Sequence, residues 1–141
     1  MKTYLPLLLL LLFFAVQSAA FELTGKAETY PKFGFIKLQG KEILLHGVQI
    51  ISQNANCKDS RGQWACGKAA WKALKNKLGN NSINCKLIPN KQNLDKNPKQ
   101  ANCLLNEENL SIWLVSSGWA LTNKEHNEFL SRMENRASEN N

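Results

Sequence analysis

Several things are scarce in this chain. It holds two histidines and four prolines in 141 residues. The four cysteines form no C-x-x-C pair, and His46 and His126 stand 80 residues apart. That combination argues against a structural zinc site, which needs four closely grouped N or S ligands. Four Pro and eight Gly exclude a collagen-like or linker-like chain. Beyond the N-terminus no run of 18 apolar residues occurs, so the remaining chain is not expected to span a membrane. Acids are sparse in the middle: from Lys58 to Lys99 there are ten Lys/Arg against Asp59 and Asp95, a balance of +8.

What remains is ordinary globular composition, 43% hydrophobic and 21% charged, with a net charge of +7. The length suits one domain. Lys2, the apolar run Leu5–Val16 and the small residues up to Ala20 describe a secretory signal peptide over residues 1–20. Export places the chain in a secreted or periplasmic setting, where Cys57, Cys66, Cys85 and Cys103 read as two disulfides. Four cysteines allow three pairings. Cys57–Cys66 would tie down a long polar loop, and Cys85–Cys103 would bridge neighbouring strands.

Residues 22–28, 33–38 and 42–50 read as a strand meander, with Gln39-Gly40 as a tight turn. Residues 51–62 read as loop. Trp64–Leu78 reads as a helix with Gly67, Trp71, Leu74 and Leu78 on one stripe. Lys68, Lys72 and Lys75 fall on another face, and Gly79 closes the helix. Ser82–Ile88 and Ala101–Leu105 read as strands around a polar loop at Asn90–Pro98. Glu108–Ser117 reads as a short helix with Leu110, Trp113 and Leu114 inward, ended by Gly118. Thr122 and Glu125 form a capping-box pattern for a last helix carrying Phe129, Leu130 and Met133. The expected organisation is a domain over 21–136 and a polar tail over 137–141. Five short strands with a helix after the third predict a β-rich α+β fold, an OB-type five-stranded Greek-key barrel with about three helices.

Three stretches occur in a telling order: Leu45-His46-Gly47-Val48, then Trp64-Ala65-Cys66-Gly67-Lys68-Ala69-Ala70, then Glu108-Asn109-Leu110 through Gly118-Trp119-Ala120-Leu121. Together they resemble the exported, cysteine-paired branch of the staphylococcal-nuclease-like (thermonuclease-like) family, over roughly residues 24–130. The resemblance implies an OB-type barrel and, in the family's enzymes, hydrolysis of DNA and RNA phosphodiesters with one calcium ion. That chemistry needs hard oxygen ligands, a carboxylate for the water and arginines on the phosphate. At the positions implied, the family's first calcium Asp is Gln49, its Glu is Ser52 and its first Arg is Leu44. The second calcium Asp maps to Gly34, beside Lys32 and Phe33, and the second Arg maps to Pro98. Lys124 and His126 occupy the region of the family's tyrosines.

The resemblance therefore implies a kept scaffold with an emptied catalytic set: no catalytic residue, no metal and no cofactor, and a role as a binding or structural module for an envelope protein partner. An alternative is an active secreted nuclease, calcium-dependent and with displaced catalytic groups. Lys68, Lys72, Lys75, Lys96 and Lys99 are candidate anion-binding residues for weak, salt-sensitive, non-specific nucleic acid contact. Trp64 and Trp71 are candidates for base stacking, with Trp71 more at home in the core. His46 is a candidate general base by residue type, but reads as a strand residue.

Overall fold

The computed structural model describes residues 21–123 and 128–139. The expected leader over 1–20, and Lys124, Glu125 and His126, lie outside them. In chain order the strands of the first half are β1 (Glu22–Tyr30), β2 (Phe35–Leu38), β3 (Lys41–Leu45), β4 (Val48–Ile50), β5 (Cys57–Asp59) and β6 (Gly62–Trp64). Then come α1 (Cys66–Leu78), β7 (Ser82–Leu87), α2 (Lys91–Leu94), β8 (Lys99–Leu105), β9 (Glu108–Asn109), α3 (Leu110–Ser116), β10 (Ala120–Thr122) and α4 (Glu128–Glu139).

Five strands close a barrel. β1 pairs antiparallel with β2 through its second half and with β7 through its first. β2 pairs antiparallel with β3, and β7 with β8. β3 and β8 then meet in parallel, Ile43 opposite Lys99, which seals the ring. Closure removes the exposed edges that an open five-stranded sheet would leave. This is the OB-type barrel the strand pattern predicts, with four helices among the described residues, the extra one being the single turn α2.

Period-2 burial explains why these segments are strands. Ile83, Cys85 and Leu87 are buried on β7 while Ser82 and Lys86 face outward. Ala101, Cys103 and Leu105 do the same on β8. The facing residues Cys85 and Cys103 are disulfide-bonded across the wall. Inside the barrel lie Ile36, Leu38, Ile43 and Ile83, each essentially without exposure. α1 covers them with Trp71, Leu74 and Leu78, and α3 with Leu110, Leu114 and Val115. Each such side chain contributes on the order of 1.5–3 kcal/mol relative to exposure. The stripe Gly67, Trp71, Leu74, Leu78 is buried as its spacing predicts, and Lys68, Lys72 and Lys75 are exposed. Gly79 caps α1 with its N–H on Lys75 O.

Elsewhere the structure departs from the expected elements. The strand expected over 42–50 is two strands, because Gly47 takes φ 77°, a conformation that favours glycine. β4 thereby leaves the barrel sheet and pairs with β10. The expected loop over 51–62 contains a hairpin, β5 against β6, fastened by the Cys57–Cys66 disulfide. Trp64 ends that hairpin, and α1 starts only at Cys66. The polar loop at 90–98 contains α2, capped by the Asn90 side chain accepting from Asn93 N.

The helix expected from Glu108 starts at Leu110 because the Asn109 side chain accepts from Ser111 N and Ile112 N. Trp113, expected inward, is half-buried at the core's margin, as is Trp119. Thr122 is a strand residue whose N–H and hydroxyl both donate to Glu134, so it ties β10 to α4. α4 runs through Ala137 to Glu139, past the expected domain limit at residue 136. Among the described residues no helix is long and apolar enough to cross a membrane. The two disulfides fit an oxidising surrounding.

Candidate binding cleft

The break at Gly47 builds the site. It lets the chain leave β3 and run as β4 beside the β1–β2 turn, and a cleft of about 450 Å³ opens between them. Lys32, Phe33 and Gly34 line it from the turn, Leu44 from β3, Gln49 from β4 and Ser52 just beyond. Gln100 of β8 and Asn123 after β10 complete the wall. A second cleft of about 440 Å³ lies alongside, lined by Asn90, Gln92, Lys96, Asn97 and Pro98 among others. Leu44 and Gln100 line both.

Four of the five positions singled out by resemblance, Gly34, Leu44, Gln49 and Ser52, thus share one cleft, and Pro98 lines its neighbour. All four lie within residues 34–52, and the strand pairing of β1, β2 and β3 with the turn at Gly47 brings them to one cleft. Among the described residues neither cleft is lined by an Asp or Glu. Among the described residues no group of three or more His, Cys, Asp or Glu is placed to hold a metal. Gln49 and Ser52, both exposed, offer neutral oxygens, and Lys32 brings a positive charge. A calcium ion, which takes six to eight oxygens including carboxylates, does not fit that donor set.

His46 is held by structure. Its N–H donates to Ala101 O at 2.9 Å, and its carbonyl accepts from Ser111 Oγ at 2.9 Å. Its Nδ1 lies 3.0 Å from Gln100 Oε1, so the ring orients the amide that both clefts share. Asn93 is buried and fully used: it donates to Ile88 O and Gln100 O and accepts from Gln100 N. It fastens α2 to β8 and so fixes the second cleft.

The candidate lysines separate. Lys68, Lys72 and Lys75 lie on the outer face of α1, and Lys75 borders a different cavity with Ala27, Glu28 and Thr29. Lys96 lines the second cleft. Lys99 is committed to the protein, its Nζ donating to Leu94 O at 2.6 Å and Lys96 O at 3.2 Å, where it neutralises the carbonyl end of α2. Trp71 is buried and donates to Ile51 O, which removes it as a stacking surface. Trp64 is partly exposed against the edge of Trp119 and lines neither cleft.

The aromatic residue at the cleft is Phe33, 62% exposed. Its ring stacks on Phe35 at 5.7 Å and 17°, and Phe35 stacks on Tyr30 at 5.7 Å. Lys32 Nζ stands 5.6 Å from the Phe33 ring centre. Phe33, Gln100 and Asn123 carry no motif; the available signal was the place of Phe33 beside Gly34. The shifted titration of Asp59 belongs elsewhere. The Arg61 guanidinium and N–H hold its carboxyl below the usual range, inside the β5–β6 turn. Compared with known proteins, the chain matches no family model and no curated protein significantly.

Proposed function

We propose that this chain is an exported staphylococcal-nuclease-like barrel whose former catalytic cleft binds a ligand and does not cut phosphodiesters. The observation that carries the reading is the meeting of Gly34, Leu44, Gln49 and Ser52 in one cleft, with no carboxylate among its described lining residues. The barrel order, with β3 closing in parallel on β8, supports the family assignment. Residues 1–20 and the two disulfides support a secreted or periplasmic location.

Each vacated position removes a defined contribution. Gln49 in place of Asp removes charge from the metal site. Ser52 in place of Glu removes the carboxylate that would handle water at neutral pH. Leu44 and Pro98 remove the bidentate phosphate forks. The remaining groups can orient a ligand by hydrogen bonds, which is binding without chemistry.

Labelled single-stranded DNA incubated with the oxidised protein and calcium tests this on a denaturing gel. Intact DNA is expected. Calcium-dependent fragments that persist in the Gln49→Ala variant, or vanish in it, would both overturn the reading. The triple change Leu44→Arg, Gln49→Asp and Ser52→Glu is expected to create a calcium site detectable by titration calorimetry.

A further inference from the structure

We infer that the two joined clefts bind an oligosaccharide. The inference rests on the binding role just proposed and names the ligand class.

The lining chemistry comes first. Gln49, Gln100 and Asn123 in one cleft, and Gln92 and Asn97 in the other, are carboxamides. Each carries donor and acceptor on one planar group. Sugar hydroxyls also donate and accept, so such a wall matches them without leaving a buried group unpaired. A wall of carboxylates would accept only, and a wall of ammonium groups would donate only.

Charge density decides between polymers. A nucleic acid carries a phosphate at every nucleotide, and proteins that hold one track it with cations. Among their described lining residues the two clefts together offer Lys32 and Lys96. Lys99 is engaged with backbone carbonyls, and the remaining candidate lysines lie on α1. Two cations along such a wall suit a neutral chain, or one with widely spaced acid groups.

Phe33 supplies the third element. Its ring is mostly exposed at the cleft, yet fixed in plane by stacking on Phe35. The negative face of an aromatic ring attracts the polarised C–H bonds on one side of a pyranose. A stacking ring beside bifunctional amides can therefore hold a sugar in one orientation. His46 acts as a positioning residue by orienting Gln100, where the clefts meet.

The test uses the oxidised protein and two probes: a β-1,4-linked N-acetylglucosamine hexamer, and an alternating glucuronate and N-acetylglucosamine hexamer. Titration followed by nitrogen-15 chemical shifts is expected to show saturable changes at Phe33, Gln49, Gln100 and Asn97 with at least one probe. Phe33→Ala and Gln49→Ala are each expected to weaken binding by about fivefold or more with an unchanged melting temperature. Shifts confined to α1, or no saturable change with either probe at millimolar concentration, would overturn the inference. A dodecathymidylate that displaces the sugar from the same residues would also overturn it, while leaving the binding role intact. Calcium-dependent cleavage in the gel assay would remove both.

Discussion

The two disulfides join the same atoms in unlike surroundings. Cys85 and Cys103 face each other on β7 and β8, both without exposure, inside a wall already held by its ladder and core. Cys57 and Cys66 fasten an eight-residue hairpin, Cys57 to Trp64, that contributes no fully buried side chain. A lone two-stranded hairpin is marginal in water. In the barrel the bridge adds to a structure that burial already specifies; in the hairpin it stands in for a core that is missing. A covalent bond's contribution thus depends on what else holds its ends.

The largest expected effect comes from the barrel. Cys85→Ala/Cys103→Ala removes an 18-residue crosslink and two packed sulfurs. We expect a loss of about 4 kcal/mol in urea unfolding, with every probe of structure shifting together. A loss limited to local exchange near residues 85–103 would break the comparison.

Gly67→Ala comes next and probes the joint between the regions. A Cβ added at Gly67 would stand 1.9 Å from Ser52 O and 2.8 Å from Gln53 C, both backbone. Residues 52–53 must move, at a cost of about 3 kcal/mol. The Ser52 amide resonance, at the cleft, should shift with it.

Cys57→Ala/Cys66→Ala sharpens the contrast. The nine-residue closure gives at most about 2.5 kcal/mol in the chain-entropy picture. The measured global loss should fall below that, while amide exchange over residues 52–66 should rise steeply. Equal loss of protection in the barrel strands would show that the hairpin supports the core after all.

The smallest effect is at the hairpin turn. Asp59 has a lowered pKa through its bonds to Arg61, so its contribution is present above the ordinary value of 3.8 and fades as pH falls through the lower folded value. Arg61 is solvent-exposed and Asp59 partly so, and screening keeps the effect small. Asp59→Asn should flatten only the stability slope below about pH 4, without a measurable change at neutral pH.

How much of this was legible depended on whether the deciding force was local. The barrel strands and the α1 stripe follow from burial at periods of two and about 3.6, which sequence displays directly. The β5–β6 hairpin did not show, although its Cys57–Cys66 tie did, because its short polar strands bury no alternating face. α2 did not show, because asparagine is a poor helix former; Asn90 acts there as a cap and Asn93 as a buried bracket. The single long strand over 42–50 failed at Gly47, where apolar neighbours masked the turn. In the site, Gly34, Leu44, Gln49 and Ser52 could be named only through resemblance, since their meeting depends on the β1–β3 pairing and on the turn at Gly47. Lys99 looked free in the sequence and is bound to carbonyls. Gln100 and Asn123 were invisible, because an amide has no distinctive spacing and gains meaning only from what stands opposite.

The parallel seam between β3 and β8 also orders events in time. Ile43 meets Lys99, so a chain delivered N-terminus first has no closing strand until residue 99 and its successors emerge. The β1–β2–β3 meander and the Cys57–Cys66 loop need nothing beyond residue 66. Cys85 must wait for Cys103, and therefore for the strand that closes the ring. The nearer cysteines are consequently free to find each other while the other pair is still incomplete. In a chain that emerges N-terminus first, the order of the four cysteines along the sequence therefore matches the pairs of the folded state.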